Sequence, residues 1–570
     1  MADRNLTLMT DLYQLTMMQG YFKNNINKRV IFDLFYRTNP SGGGYAIACG
    51  LEQVIEYIKN LRFTYEDIEY LRGLSIFDED FLTYLSSFHF SGDIYGIPEG
   101  TVVFPKEPLI KVIAPIMEAQ LIETSLLNIV NHQSLIATKA ARVCYAAKGD
   151  GVMEFGLRRA QGPDAGIYGA RAAVIAGCVG TSNVLTGKLW NMPIKGTHAH
   201  SWIMSFPDEY TAFKKYAELY PNACTLLVDT YDTLKSGIPN AIRVFTEMRE
   251  AGIPLTKYGI RMDSGDLAYL SKRVRKMLDD AGFPDAVISA SNDLDEYLIE
   301  TLKSQGATIK SWGVGTHLIT CKDNPAFGGV YKLAAIKKEG SEEFTPKIKI
   351  SENPAKITNP GNKTVYRIVD KDTGKLKADL IALAGETYDT TKDLEIFHPI
   401  DTWKRSTLTG GSYEITEILV ICNEQTYRCK RTAYIRKNKR IRHCSYRVSA
   451  NVHTRTKHAP EGLVTHLLIE FVHRRGNRHR NVHNSTKRTN DNSTPDKREQ
   501  IYRRLKYIHL ALIIPSQIKA VFLIGAFRVY SECTVGIGGT NLSVNEFTFF
   551  VSPNKYTVTA NILIDVLLVH

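Results

Sequence analysis

Between residues 152 and 316 the chain repeats one pattern: a short apolar run, a polar cluster, then a helix-length amphipathic stretch. The apolar runs fall at 152–155, 193–196, 225–228, 258–260, 286–289 and 309–314, with helical stretches such as 240–251, 267–281 and 295–305 between them. Strands alternating with helices at this spacing read as a parallel α/β architecture. Six such units favour a closed or nearly closed barrel over an open sheet, and in such barrels chemistry gathers where strands end. The polar residues fall there. Glu154 and Arg158–Arg159 follow the first run, and residues 196–200 (GTHAH) end the second. Asp229 and Asp232 end the third, residues 261–266 (RMDSGD) the fourth, 291–293 (SND) the fifth, and 313–316 (GVGT) the sixth.

Flanking this core, residues 1–116 mix helix and strand. A helical period covers residues 11–22, and strand-like runs lie at 30–37 and 101–104; a helix-period segment from 117 to 141 leads into the barrel. The expected domains are therefore an N-terminal α+β domain over 1–116, an α/β barrel over 117–345, and a small β-containing lobe over 346–420. Beyond residue 420 the composition changes. Residues 421–570 hold 25 Lys+Arg against 9 Asp+Glu and nine of the fifteen His, with no Met or Trp, whereas residues 1–420 hold 46 against 50. The overall charge of +12 thus belongs to the tail. Cys422, Cys429 and Cys444 lack zinc-ribbon spacing, and no helix-turn-helix or other nucleic-acid motif is legible. A translated wrong frame from near codon 420 accounts for the tail better than an appended nucleic-acid module.

At 44% hydrophobic and 23% charged residues the chain reads as an ordinary globular protein. Residues 2–5 (ADRN) precede no signal-peptide core, and the stretch 510–527 contains Pro515 and Lys519, a poor membrane span. Nine scattered cysteines suit a reducing cytoplasm.

Several clusters carry chemistry. Asp263 and Asp266 suit Mg²⁺ or ribose hydroxyls, and equally an Asx turn with a helix N-cap. Ser264 and Gly265 offer backbone N–H groups to phosphate before a helix, and Arg261 offers a fork for a carboxylate or phosphate. Gly313 and Gly315 resemble a phosphate cradle, though a bare Gly-x-Gly is also a common turn. His198 and His200 are catalytic or structural on this reading; no third ligand gives them zinc spacing. Arg158 is an anion contact or a surface ion-pair partner. Lys139 and Arg142 share a helical face, for phosphate or for solvent.

Taken in order, residues 10–17 (TDLYQLTM), 35–44 (FYRTNPSGGG), 155–164 (FGLRRAQGPD), 196–201 (GTHAHS), 229–232 (DTYD), 261–267 (RMDSGDL), 313–316 (GVGT) and 328–333 (GGVYKL) resemble the nicotinate phosphoribosyltransferase family over about the first 420 residues. The resemblance implies the type II phosphoribosyltransferase fold: an irregular α/β barrel beside an N-terminal α+β domain. It implies a homodimer joining nicotinate to 5-phosphoribosyl 1-pyrophosphate in NAD biosynthesis, with ATP hydrolysis coupled through a phosphorylated histidine. His200 matches that histidine. Tyr13, Thr197, Arg261 and Thr316 match positions at or near nicotinate; Arg158, Asp263, Gly313 and Gly315 match positions for the ribose phosphate and pyrophosphate. Mg²⁺ would ride on the pyrophosphate, near Asp263 and Asp266. A nicotinamide-using relative is the alternative within the fold; an inactive barrel with a nucleic-acid-binding tail is the alternative outside it.

Overall fold

The computed structural model describes residues 5–353, 356–398 and 403–422, and the backbone of 547–550 and 557–560. The readings made of the tail, wrong frame or nucleic-acid module, lie otherwise outside the described residues. By packing, the chain divides into residues 1–463 and 464–570. In the second unit Phe547–Phe550 and Thr557–Ala560 form an antiparallel pair. Among the described residues no helix is long and apolar enough to cross a membrane.

The N-terminal sheet is antiparallel and is assembled from distant segments. Its order is Phe344–Pro346, Gly329–Lys337, Arg29–Tyr36, Ile110–Pro115, Asp93–Gly96, Val420–Ile421. Arg29–Tyr36 is central because its β-branched and aromatic run is buried on both faces. Its one acidic residue, Asp33, lies 2.7 Å from Lys363 Nζ. The segment Gly329–Lys337 was expected within the 117–345 barrel domain. It belongs instead to this sheet, because strand pairing follows buried apolar faces rather than sequence neighbourhood. The helical segment expected at 117–141 is two helices, Ile116–Leu121 and Glu123–Ala146. The longer one carries fully buried Ala137 and Ala140, so it can pack closely on both sides.

The barrel strands are β1 (Gly151–Glu154), β2 (Gly180–Thr181), β3 (Cys224–Leu227), β4 (Tyr258–Met262), β5 (Val287–Ala290) and β6 (Ser311–Val314). All pairings are parallel, in the order β2-β1-β6-β5-β4-β3. First pairs with last, as in a closed ring, and the ring has one seam between β2 and β3. Five of the six expected strands form. The sixth, at 193–196, contributes one parallel bridge, Thr181 to Ile194. Pro193 has no N–H to donate to a ladder, which is why no strand forms there. The two-residue β2 was too short to show a pattern.

Side chains close the seam. Thr197 Oγ1 donates to the Thr225 carbonyl at 2.9 Å, and the Leu227 N–H donates to His198 Nε2 at 3.3 Å. The barrel is thus irregular, as the resemblance implied, and the irregularity sits beside His200. The expected β-containing lobe is also present. Lys363–Asp370 pairs with Leu376–Leu383 and Tyr413–Glu417, while Leu394–Phe397 pairs with Arg405–Leu408. Ile368, Leu408 and Tyr413 form its small core.

Candidate active site

The site is built on the ends of β3, β4 and β5. Asp229, just past β3, is its brace. Its Oδ2 accepts the Asp263 backbone N–H at 2.8 Å and the Ser264 hydroxyl at 2.6 Å. Ser291, just past β5, donates to Asp263 Oδ1 at 2.5 Å. Three strand ends are therefore cross-linked by two carboxylates and two hydroxyls, which fixes the 263–265 loop. Gly265 takes φ +80°, a left-handed value that glycine adopts without strain. Ser264 and Gly265 are exposed at the mouth, where their backbone N–H groups can meet an anion.

Arg261 projects from β4 into the same cluster. One terminal nitrogen donates to the His198 carbonyl at 3.3 Å, and the other lies 4.0 Å from Asp263 Oδ1. Burial pushes the guanidinium pKa below its ordinary value, against the pull of Asp263 and Asp229. Arg261 Nε, Asp229 Oδ1 and His198 Nδ1 are all buried without a hydrogen-bond partner among the described residues. Unsatisfied buried polar atoms are costly, so a cluster of them at strand ends marks a place built for a polar ligand.

The two histidines take different roles. His198 is 9% exposed, and burial pushes its pKa down to about 4. It stays neutral and spends Nε2 on the seam. His200 opens the short helix His200–Met204, with a side chain 38% exposed. Its Nδ1 lies 3.0 Å from Thr230 Oγ1, and its Nε2 lies 3.8 Å from Asp263 Oδ2. A strand would have turned both imidazoles the same way; the absence of a strand at 193–196 lets them diverge.

On the other side of the mouth, β6 and β1 bring in the glycines. A methyl group on Gly313 would lie 2.6 Å from the Phe155 ring, so only glycine lets β6 pack there. Gly315 precedes the single turn Thr316–Ile319, which places Thr316 at the mouth. Arg158 is exposed in the turn Leu157–Arg159, and its charge acts on Arg261. Glu154 is fully buried. It accepts the Thr181 hydroxyl at 2.6 Å and the Gly156 N–H, so it ties β1 to β2 and shapes the loop leading to Arg158.

Four expected site residues are placed otherwise. Asp266 caps the helix Leu267–Asp280, its Oδ1 accepting the Tyr269 N–H at 2.9 Å; of the two alternatives for it, the structure uses the cap. Lys139 is buried, 2.7 Å from Glu296 Oε2 and 2.6 Å from Asp323 Oδ1. Arg142 sits 3.1 Å from Glu296 Oε1 and donates to the Tyr297 hydroxyl at 2.8 Å. Both cations are consumed within the fold, which corrects their assignment to phosphate. Tyr13 lies on the helix Leu12–Lys23, bonded to Glu123; among the described residues its polar partners are Glu123 and Asp11 rather than the barrel-mouth cluster. Among the described residues no group of three or more His, Cys, Asp or Glu could hold a metal ion. The sequence reading gave Asp229 and Ser291 a position at strand ends but no role, and it met Thr230 only as part of the 229–232 match.

Comparison with known proteins agrees with this architecture. Three family models match the chain: the nicotinate phosphoribosyltransferase (NAPRTase) N-terminal domain over residues 8–131, the NAPRTase family over 151–372, and the nicotinate phosphoribosyltransferase C-terminal domain over 362–456. The last runs past the limit of about residue 420 set by the motifs. The Bacillus subtilis nicotinate phosphoribosyltransferase is 52% identical over 402 residues, covering 70% of this chain and 81% of that one. The human nicotinate phosphoribosyltransferase is 31% identical over 482 residues, covering 74% and 87%. A crystal structure of the human enzyme superposes with TM-score 0.62 at 30% identity, over 73% of this chain and 89% of that one. A Pyrococcus furiosus structure described as nicotinate-nucleotide pyrophosphorylase shares the fold, with TM-score 0.56 at 22% identity, over 77% of this chain and 96% of that one. With a mouth of Arg261, Asp263, Asp229 and His200 on a seamed barrel, and relatives matched over most of their length, this chain belongs to the nicotinate phosphoribosyltransferase family.

Proposed function

We propose that the chain joins nicotinate to 5-phosphoribosyl 1-pyrophosphate, giving nicotinate mononucleotide and pyrophosphate in NAD biosynthesis, with ATP hydrolysis coupled through His200. The observation that carries this reading is the buried, partly unsatisfied Arg261 beside Asp229 and Asp263 at the barrel mouth. A guanidinium partly stripped of water is well suited to the nicotinate carboxylate, and poorly suited to the neutral amide of nicotinamide. Thr197 and Thr316 border the ring site from the seam and from the turn after β6. Arg158 and the N–H groups of Ser264, Gly265, Gly313 and Gly315 face the phosphate groups.

Departure of pyrophosphate leaves positive charge on the ribose, and the nicotinate ring nitrogen attacks the carbon that carries it. Holding the ring nitrogen in line is a positioning effect. The carboxylate of Asp263, held by Ser291, sits where it can stabilise that charge or the ribose hydroxyls. The residues fit Mg²⁺ only in part: Asp263 Oδ2 and Asp266 Oδ2 are the carboxylate oxygens that would reach it, since Asp263 Oδ1 is held by Ser291 and Asp266 Oδ1 by the helix cap. When bound, Mg²⁺ would neutralise the leaving pyrophosphate, held mostly by substrate oxygens and water. A cytoplasmic setting accords with the free thiols of Cys49, Cys144, Cys178, Cys224 and Cys321.

The test is product formation by the purified chain supplied with nicotinate, phosphoribosyl pyrophosphate, Mg²⁺ and ATP, in competition with nicotinamide and quinolinate. Nicotinate mononucleotide as the dominant product supports the reading; preference for nicotinamide overturns it. His200→Ala is expected to abolish stimulation by ATP while leaving slower transfer. Undiminished stimulation in that variant would remove His200 from the coupling.

A homodimer completes the site on this reading. Tyr13 is matched to the nicotinate site, yet within its own chain it is bonded to Glu123, and its helix exposes Leu12, Tyr13 and Met17. A two-fold partner that covers this apolar face can present Tyr13 to the neighbouring barrel. Mixing inactive Tyr13→Ala and Arg261→Ala protomers should then restore about a quarter of wild-type activity, because half of randomly paired dimers hold one intact site. No recovery after subunit exchange would place Tyr13 outside the shared site.

A further inference from the structure

We propose that Thr230 is the positioning residue that decides which nitrogen of His200 takes a phosphoryl group: its side-chain oxygen holds the Nδ1 proton, leaving the Nε2 lone pair turned to the barrel mouth. This inference rests on the phosphohistidine reading above and deepens it.

A neutral imidazole carries one proton, so its two nitrogens take opposite roles; a hydroxyl can accept or donate, and we take Thr230 Oγ1 as the acceptor of the Nδ1 proton. Among the described residues only Nδ1 of His200 is within hydrogen-bond distance of a side chain, 3.0 Å from Thr230 Oγ1. Nε2 stands 3.8 Å from Asp263 Oδ2, too far for a hydrogen bond but close enough for its carboxylate to stabilise a charged ring. Thr230 has little freedom to move. The Val228 N–H before it donates to the Arg261 carbonyl at 3.1 Å, and Asp229 between them is fixed to Asp263 and Ser264. One chain segment, 228–230, therefore sets the phosphate-facing loop with Asp229 and the imidazole with Thr230. With a half-exposed side chain and no second hydrogen bond, His200 depends on Thr230 for its ring orientation.

The step balances without a proton leaving the ring. The Nε2 lone pair forms a bond to the terminal phosphorus of a nucleoside triphosphate. The bond from that phosphorus to the bridging oxygen breaks, and its electron pair departs on the nucleoside diphosphate. The ring gains positive charge, which the Nδ1–H donates toward Thr230 Oγ1 and Asp263 offsets from the other side. Attack by Nδ1 would instead require the ring to give up the Thr230 contact first.

The experiment labels the full-length chain with ATP carrying a radioactive terminal phosphate, in the presence of Mg²⁺, and identifies the phosphohistidine isomer by NMR of the phosphoprotein. Wild type is expected to be labelled on Nε2. Thr230→Val should slow labelling about tenfold and Thr230→Ser should restore it, since only the hydroxyl matters. Absence of any label in wild type, or label retained in His200→Ala, defeats the phosphohistidine reading itself. Label on Nδ1 of wild type, or a wild-type labelling rate in Thr230→Val, overturns the role of Thr230 alone. Should Thr230→Val fail to fold, the isomer found in wild type and in Thr230→Ser still decides.

Discussion

Arg261→Ala should lower kcat/KM for nicotinate about a thousandfold, roughly 4 kcal/mol of lost transition-state binding. The magnitude follows from the environment. Arg261 has a side chain only 16% exposed, and its Nε has no hydrogen-bond partner among the described residues. A carboxylate that binds there exchanges water for a charge-assisted pair of hydrogen bonds in a poorly hydrated setting. Removing the guanidinium leaves that carboxylate buried and unpaired. Arg261→Lys should recover little of the loss, because an ammonium lacks the planar fork. Selectivity is the sharper measure. Discrimination against nicotinamide should fall in both variants, since the charge that separates acid from amide has gone or moved. The loss of the bond to the His198 carbonyl is a structural side effect, which thermal unfolding of the variants will register separately. A variant with near-normal kcat/KM and unchanged selectivity would remove Arg261 from nicotinate recognition.

Lys139→Met should destabilise the folded chain by about 3–5 kcal/mol. Burial works against the Lys139 charge, but its Asp323 and Glu296 partners outweigh burial and hold its pKa above the ordinary value. An apolar side chain of similar length would leave Glu296, 7% exposed at its side chain, with Arg142 at Oε1 but without the cation that faces its Oε2, and would take from Asp323 the ammonium 2.6 Å away. Denaturant titration of the variant measures the loss, and Lys139→Met combined with Glu296→Gln should recover part of it. The steady-state KM for phosphoribosyl pyrophosphate should stay near wild type in whatever fraction remains folded. A stable Lys139→Met protein with a raised KM would return Lys139 to the phosphate site.

Lys139 and Arg142 show where sequence reasoning stops. Their spacing put both on one helical face, and that was right: both meet the acidic residues packed against that face. Whether a buried cation meets a carboxylate of its own chain or a ligand's phosphate depends on residues 296 and 323, more than 150 positions away. Nothing local encodes that choice. Asp266 is the converse case. Capping is local, so the motif already contained the cap as one of its two readings, and the helix beginning at Leu267 selected it.

The sequence alone determined the alternation of strands and helices, the gathering of polar residues at strand ends, and the motifs that place Arg261, Asp263 and His200 at one mouth. These depend on local periodicity and on short spacings, which the chain states residue by residue. Only the tertiary structure decided the seam between β2 and β3, the transfer of Gly329–Lys337 to the N-terminal sheet, and the bond of Tyr13 to Glu123. It also revealed Asp229 and Thr230 as the brace of the site. Each of these is a choice of partner between residues remote in sequence. Such choices are made by which apolar faces bury one another and which polar atoms are then left to be satisfied, and both are properties of the packed whole.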